Sequence, residues 1–311
     1  MNVVYILFNR PDLTARSFET IRAARPERLF LVADGPRPHV ATDAERCLQA
    51  RAVVEKVDWP CEVVRDYSAS NLGCGRRISS GITSAFRHVD RAIILEDDCI
   101  PDPSFFPYCT TLLDRYQNDE RVMAIGGSNF QEGTRRGTGA YYFSKYPHCW
   151  GWATWKRSWQ HFDLAMRAWP DIAKADVLRA VCHEENERRY WSGIFDRVHA
   201  GEIDSWGYPW VLSCWLQNGL TALPNVNLIA NVGFGPEATH TSDTSAAKRS
   251  ASSLDHFAPP DFVMPHAEAD TFTLRSHFGV REQTTPSLPR RILSAARRRL
   301  LKSWATERTE P

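Results

Sequence analysis

Three consecutive acids, Glu96-Asp97-Asp98, follow the apolar run Ile93-Ile94-Leu95 and precede Pro101 and Pro103. Like charges side by side repel, and none can be buried alone without a large cost. A solvated turn would account for one or two carboxylates. Three in succession call for a positive partner, and a hard cation held by oxygens meets that need. Magnesium or manganese commonly binds through one or two carboxylates together with substrate phosphates. The reaction that suits such a site is loss of a nucleoside diphosphate, whose developing charge the metal neutralises.

A parallel sheet is the frame that would present these acids. The run VVYILF (3–8) is short and wholly apolar, as a buried parallel strand requires. Pro11 and Asp12 then open a helix, because proline is tolerated at the first helical position and Asp suits the positive helix end. RLFLVAD (28–34), CEVVRDY (61–67), RAIILE (91–96) and VMAIGGSN (122–129) read as further strands. Helical stretches separate them: 41–57, with Ala50, Val53, Val54 and Val57 on one face; Ile78, Ile82, Ala85, Phe86 and Val89 at helical spacing; and Phe105, Phe106, Cys109, Leu112, Leu113 and Tyr116. Repeated strand–helix units predict an α/β class fold, a Rossmann-like, mostly parallel sheet flanked by helices. Ligands of such sheets bind at the carboxyl ends of the strands, where Asn9-Arg10, Asp34-Gly35 and the acidic triplet would gather. Residues 165–219 read as mostly helical, 221–235 as short strands with turns, and 236–290 as loop.

Two other stretches carry chemistry. In NLGCGRR (71–77), Gly73 and Gly75 let backbone approach a ligand closely. Arg76 and Arg77 fall in the first turn of the next helix, where cations oppose the helix dipole, so a nearby pyrophosphate would justify them; solvent exposure is the alternative for one of the pair. In HCWGWATWKRSW, Trp155 and Trp159 have core-like spacing. Trp150-Gly151-Trp152 fits a core less well, and flat rings stack on sugar faces, which assigns Trp150 and Trp152 to a sugar site.

The strand-borne Glu-Asp-Asp followed by CIPDPSFFPY resembles the metal motif of GT-A fold glycosyltransferases, in particular the N-acetylglucosaminyltransferase I family and related bacterial sugar transferases. VVYILFNRPD is similar to that family's first strand and nucleotide loop, NLGCGRRISSGI to its nucleotide-side segment, HCWGWATW to an aromatic loop beneath donor and acceptor, and EIDSWGYPW to a segment carrying the catalytic base. The resemblance spans residues 1 to about 242. It implies that Asp98 binds the metal, Asp97 meets ribose or the donor sugar, and Glu96 faces the donor sugar. It also implies that Asn9, Arg10, Asn71 and Arg76 line the nucleotide pocket and that Asp34 meets the base; a turn cap before Gly35 is the alternative for Asp34. His240 resembles a histidine that such enzymes supply to the metal or the phosphates, with a loop histidine bonded to backbone as the alternative.

An inverting transfer needs a base for the acceptor hydroxyl. Asp204, in GEIDSWGYPW, is the expected one, with Trp206 and Trp210 placed to desolvate it. Glu202, Glu184, Glu185 and Asp196 are the other candidates, and a helix cap is the structural alternative for Asp204.

The bulk properties set bounds. A formal net charge of +1 gives no global pull toward nucleic acid, so none is expected as partner. Eight dispersed cysteines form no C-x-x-C pair, which argues against a zinc knuckle and suits a reducing, cytoplasmic compartment. The stretch RRILSAARRRLLKSW (290–304) is basic and amphipathic, as a segment lying on an anionic membrane would be; a solvated terminal helix is the alternative. The expected division is a nucleotide-sugar-binding half at 1–130, an acceptor-side half at 131–242, and a loop-rich extension with a basic helix at 243–311. The expected activity is transfer of a sugar from a nucleotide donor, most simply a UDP-sugar, to a glycan or lipid-linked hydroxyl, with Mn2+ or Mg2+. A sugar-phosphate nucleotidyltransferase shares the sheet and metal, but would want a glycine-rich, Arg-bearing loop after the first strand. A non-catalytic carbohydrate-binding module has no need of the triplet.

Overall fold

The computed structural model describes residues 1–234 and 250–282. In its first half strands and helices alternate: β1 (Asn2–Leu7), α1 (Pro11–Ala24), β2 (Arg28–Ala33), α2 (Asp43–Val54), β3 (Glu62–Tyr67), α3 (Cys74–Ala85), β4 (Arg91–Glu96), β5 (Cys99–Pro101), α4 (Phe105–Arg115) and β6 (Val122–Gly126). Then come β7 (Tyr141–Ser144), β8 (Trp152–Trp155), α5 (Lys156–Trp159), α6 (Trp169–Lys174), a 3-10 turn (Val177–Ala180), α7 (Glu185–His199), α8 (Gly207–Leu216), β9 (Leu220–Pro224), β10 (Ile229–Asn231) and α9 (Ala267–Ser276).

Eight strands make one sheet in the order β3-β2-β1-β4-β8-β6-β9-β7. β3, β2, β1 and β4 are parallel. β8 runs antiparallel between β4 and β6, β9 is parallel to β6, and β7 closes the far edge antiparallel. This is the predicted α/β architecture, a mostly parallel sheet between helices. β10 and β5 pair separately beside it.

The wholly apolar strands follow from burial on both faces. Val3, Tyr5 and Leu7 pack with Phe18 and Ile21 of α1 and Phe105 and Leu112 of α4. The alternate residues Val4 and Ile6 pack on the other face with Ile78 and Ile82 of α3 and Trp210 and Cys214 of α8. Single-residue alternation along each strand thus serves two helical layers. A third cluster joins Trp169, Trp191, Phe195 and Trp215 across α6, α7 and α8.

Two sequence expectations change here. The aromatic stretch after Gly151 is a central strand, not a loop: Trp152 begins β8 and pairs with Ile94 and Gly126. Within 236–290, read as loop throughout, the described part contains α9, whose first turn carries Glu268 and Asp270 at the positive helix end. His240 and the basic stretch 290–304 lie outside the described residues. Among the described residues no helix is long and apolar enough to cross a membrane.

Candidate active site

β1 and β4 are neighbours in register, with Ile6 opposite Glu96, so the residues just past both strands meet at the carboxyl edge of the sheet. Only three residues, Phe8, Asn9 and Arg10, separate β1 from Pro11 of α1. In that short connection the Phe8 N–H donates to Asp97 Oδ2 (3.3 Å). The Arg10 guanidinium donates to Asp97 Oδ1 and lies 3.1 Å from Asp98 Oδ2. Asp97 is 2% exposed. Burial pushes the Asp97 carboxyl up despite Arg10. Burial, then the charges of Asp98 and Asp97, pushes the Glu96 carboxyl up to about 8. The guanidinium pairs with two of the three acids, Asp97 and Asp98, and among the described residues no other Lys or Arg forms an ion pair with the cluster.

The remaining walls come from distant parts of the chain. The Val232 N–H donates to Asp98 O (2.9 Å). Gly233 lies against the Asp98 carboxylate so closely that a Cβ there would overlap it. Burial raises the Cys74 thiol at the start of α3, and the charges of Glu96, Asp204 and Asp98 add to that effect, so all three carboxylates lie within electrostatic range of this thiol.

Asp204 sits at the N-terminus of α3. Its Oδ1 accepts from the Gly75 N–H (2.9 Å), and Gly73, at φ 81°, leaves room for its Oδ2. The carboxylate caps a helix other than its own and remains exposed. The expected desolvation by Trp206 and Trp210 is corrected: both rings turn inward, Trp206 stacking on Trp152 with centroids 5.3 Å apart and Trp210 packing at 5.6 Å. The other base candidates stand elsewhere. Glu202 pairs with Arg197, Glu185 with Arg189 and Glu184 with Arg275, and Asp196 accepts from Trp169 Nε1.

Asp34 is spent on structure. Its two oxygens accept from the N–H groups of Gly35 (2.8 Å), Leu72 (2.9 Å) and Gly73 (3.1 Å) and from Asn71 Nδ2 (3.0 Å). Asn71 also donates to Gly35 O, so Asp34 and Asn71 together clamp the loop that leads into α3. Asn9 Nδ2 donates to Asp43 Oδ1 (2.7 Å), tying the β1 connection to α2. Asp43 was not singled out from the sequence, although an acid in the first turn of a helix is a legible signal. The Arg37 guanidinium beside it holds its carboxyl down to about 2. Arg76 is exposed, while Arg77 is buried and paired with Asp66 (2.5 Å).

Of the two tryptophans assigned to a sugar, Trp152 is 1% exposed and belongs to the core, a correction that follows from its place in β8. Trp150 is half-buried at the rim, with Phe130 and Phe234 at 5.3 and 5.5 Å.

The acidic cluster fits a cation on one count. Its excess of negative charge is confined to a few ångströms, at the strand end where ligands of such sheets bind. Among the described residues no three His, Cys, Asp or Glu side chains converge as a closed metal cage would. A hard ion held by one or two carboxylates and completed by phosphate oxygens needs no such cage.

No family model matches the sequence, and no curated protein matches it significantly. The likeness to the N-acetylglucosaminyltransferase I family therefore rests on its motifs. Solved structures that the chain is similar to include S. aureus TarS 1-349, at 12% identity and a TM-score of 0.37, over 53% of this chain and 50% of that one. UDP-glucose pyrophosphorylase complexed with UDP-glucose matches at 12% identity and 0.31, over 52% and 78%. The 4-diphosphocytidyl-2C-methyl-D-erythritol synthase of Anaerococcus prevotii matches at 7% identity and 0.36, over 79% and 94%. The chain spans about half the length of the TarS structure.

Proposed function

We propose that this chain is a metal-dependent glycosyltransferase that moves a sugar from a nucleoside-diphosphate sugar, a UDP-sugar in the first instance, to an acceptor hydroxyl with inversion. The observation that carries this reading is the crowding of acids at the end of β4, where Arg10 pairs with Asp97 and Asp98 beside Glu96 and, among the described residues, no other Lys or Arg forms an ion pair with the three. Asp98 is the acid assigned to Mn2+ or Mg2+. When bound, the ion supplies positive charge to the departing diphosphate. Asp97 and Arg10 hold each other at the end of β4, and a guanidinium in that place suits phosphate oxygens.

In the reaction the acceptor oxygen forms a bond to the anomeric carbon. The bond from that carbon to the phosphate oxygen breaks, and the diphosphate leaves with the electron pair. The hydroxyl proton goes to Asp204, an exposed carboxylate whose charge, like those of Glu96 and Asp98, reaches Cys74. The acceptor class that suits the basic stretch 290–304 is a glycan on a lipid carrier at an anionic membrane face.

A sugar-phosphate nucleotidyltransferase is the competing reading. The three-residue connection from β1 to α1 speaks against it, because it leaves no room for a glycine-rich phosphate loop. One experiment separates the two. The protein is incubated with UDP-hexoses and UDP-N-acetylhexosamines plus manganese, and separately with UTP, sugar 1-phosphates and magnesium. Release of UDP in the first mixture alone supports glycosyl transfer. Pyrophosphate in the second moves the assignment to nucleotidyl transfer, and neither product, with no metal-dependent UDP binding, leaves a binding module.

A further inference from the structure

The connection Phe8–Arg10 supplies the backbone N–H and the guanidinium that reach Asp97, and its middle residue, Asn9, is gripped by α2. The Asn9 amide donates to Asp43 Oδ1 (2.7 Å), and Arg46, one turn further along α2, donates through Nε to Asn9 O (2.9 Å). Asp43 is 1% exposed. An acid in the first turn of a helix ordinarily serves that helix's own positive end. Among the described residues, every hydrogen bond of the Asp43 carboxylate instead leaves α2. One comes from Asn9, and three come from the Arg37 N–H (3.1 Å), Nε (2.6 Å) and Nη2 (2.9 Å). Arg37, so held, lies over the Phe8 ring at 5.4 Å from its centroid. Asp43 thus acts on Asn9 directly and on Phe8 through Arg37, while it makes no hydrogen bond or ion pair with the triplet among the described residues.

We propose that Asp43 is a positioning residue for the donor diphosphate: through Asn9 and Arg37 it holds the Phe8–Arg10 connection in the arrangement that brings Arg10 to Asp97 and Asp98. Its part in donor binding rests on the glycosyl-transfer reading above; its hold on the connection does not. The connection has three residues, so fixing the middle one leaves its neighbours little freedom, and the ordering cost is met during folding rather than when a ligand binds. Bonds to an ionised carboxylate are the strong ones, and four of them on one buried group make a stiff joint. The same helix also reaches the next two strand ends, since Arg51 Nη2 donates to Asp34 O (2.9 Å) and Ser68 O (2.7 Å). The carboxyl ends of β1, β2 and β3 are thereby tied to one helix, and Asp43 is the tie nearest the triplet's guanidinium.

The test uses the full chain and two readouts. The first needs no ligand: hydrogen exchange of the Phe8 amide, followed by NMR. Asp43→Ala should speed that exchange at least about tenfold, while the amides of β4 exchange as in wild type. The second is UDP with manganese, titrated by calorimetry well below each melting temperature. Asp43→Ala and Asn9→Ala should each weaken UDP about tenfold, and the double variant no further, because both act along one path. Asp43→Asn, with one acceptor oxygen in place of two, should lose about threefold. Glu55→Ala, which removes the partner of Arg65 and Tyr67 at the other end of α2, should bind UDP like wild type. An unchanged Phe8 rate in Asp43→Ala overturns the proposal. So does UDP affinity within about twofold of wild type in that variant, or losses that multiply in the double variant, since Asp43 then stabilises the fold and nothing more. Should Asp43→Ala fail to fold, Asp43→Asn and Asn9→Ala decide by the same readouts. Absence of UDP binding in the wild type instead strikes the glycosyl-transfer reading, and the Phe8 rate then decides whether Asp43 holds the connection.

Discussion

Asp34 and the Glu96-Asp97-Asp98 triplet occupy the same edge of the same sheet, yet they are opposite kinds of acid. Asp34 accepts from three backbone N–H groups and the Asn71 amide, and every donation holds the loop before α3. Burial raises its carboxyl, and the three N–H bonds work against that rise. Among the described residues the triplet's donors are the Arg10 guanidinium, the Phe8 N–H and the weak Cys99 thiol. An acid whose donors come from its own fold is structural. Acids that crowd together with too few donors keep binding capacity in reserve for something outside the chain.

That contrast breaks if Asp98 and Asp34 fail to respond differently. Asp98→Ala should reduce transfer by at least about a thousandfold, ~4 kcal/mol or more, with little change in unfolding free energy. Chelator should inactivate the wild type and manganese restore it; turnover that persists in chelator removes the metal from the reading. Asp34→Ala should do the reverse. It leaves the N–H groups of Gly35, Leu72 and Gly73 without their acceptor, a loss of about 3 kcal/mol in stability. Activity measured well below its melting temperature should fall far less than for Asp98→Ala. A thousandfold loss in a folded Asp34→Ala protein would make Asp34 a ligand contact after all.

The sequence made these two kinds of acid look alike, because both follow an apolar strand and precede a turn. Strands β1 to β4 and β6 were legible from apolar runs, and α1, α3 and α4 from helical spacing and the proline at the start of α1. The short β7 and β8 were not: each has four residues, and YYFS and WATW carry no alternation to mark them. β8 is also inserted antiparallel from a later part of the chain, a pairing that local pattern does not encode. Trp152 was misread for the same reason. The triplet stood out because its cost is local. The partners that give Asp204 and Gly233 their surroundings lie far off in sequence, 129 and 135 residues away for the pairs Asp204–Gly75 and Gly233–Asp98.

Asp204 sharpens the comparison because it combines both characters, an exposed carboxylate near the triplet that also caps α3 through Gly75. Asp204→Asn keeps an oxygen for that cap and removes the proton acceptor. Turnover should fall about a hundredfold while UDP affinity and melting temperature stay near wild type. Asp204→Ala should lose the same turnover and in addition about 1 kcal/mol of stability from the missing cap. Equal turnover in wild type and Asp204→Asn, with a loss only in the alanine variant, would reduce Asp204 to the cap.

The smallest effect concerns Asp270, an acid of the structural kind that has too few donors. It is 5% exposed in α9 and accepts from Ser144 Oγ (2.5 Å) and the Lys145 N–H (3.3 Å). Burial pushes its carboxyl up to about 6, against partial relief from Ser144 and the Lys145 ammonium. In the native state the proton therefore stays on through a window, roughly pH 4 to 6, in which the unfolded chain has already released it. Folding stability contributed by this group is highest below that window, falls as pH rises through it, and is level above. The loss is about 2 kcal/mol, allowing for relaxation around the charged form. Asp270→Asn holds the shape and cannot ionise. Urea unfolding of both proteins at several pH values from 4 to 7 isolates the group, since carboxyls held low by arginines, such as Asp43, titrate identically in each. The stability difference, variant minus wild type, should grow by about that amount between pH 4 and 6 and then stay constant. A flat difference would mean that Asp270 is ionised in the native state at every pH tested, with Lys145 meeting its charge.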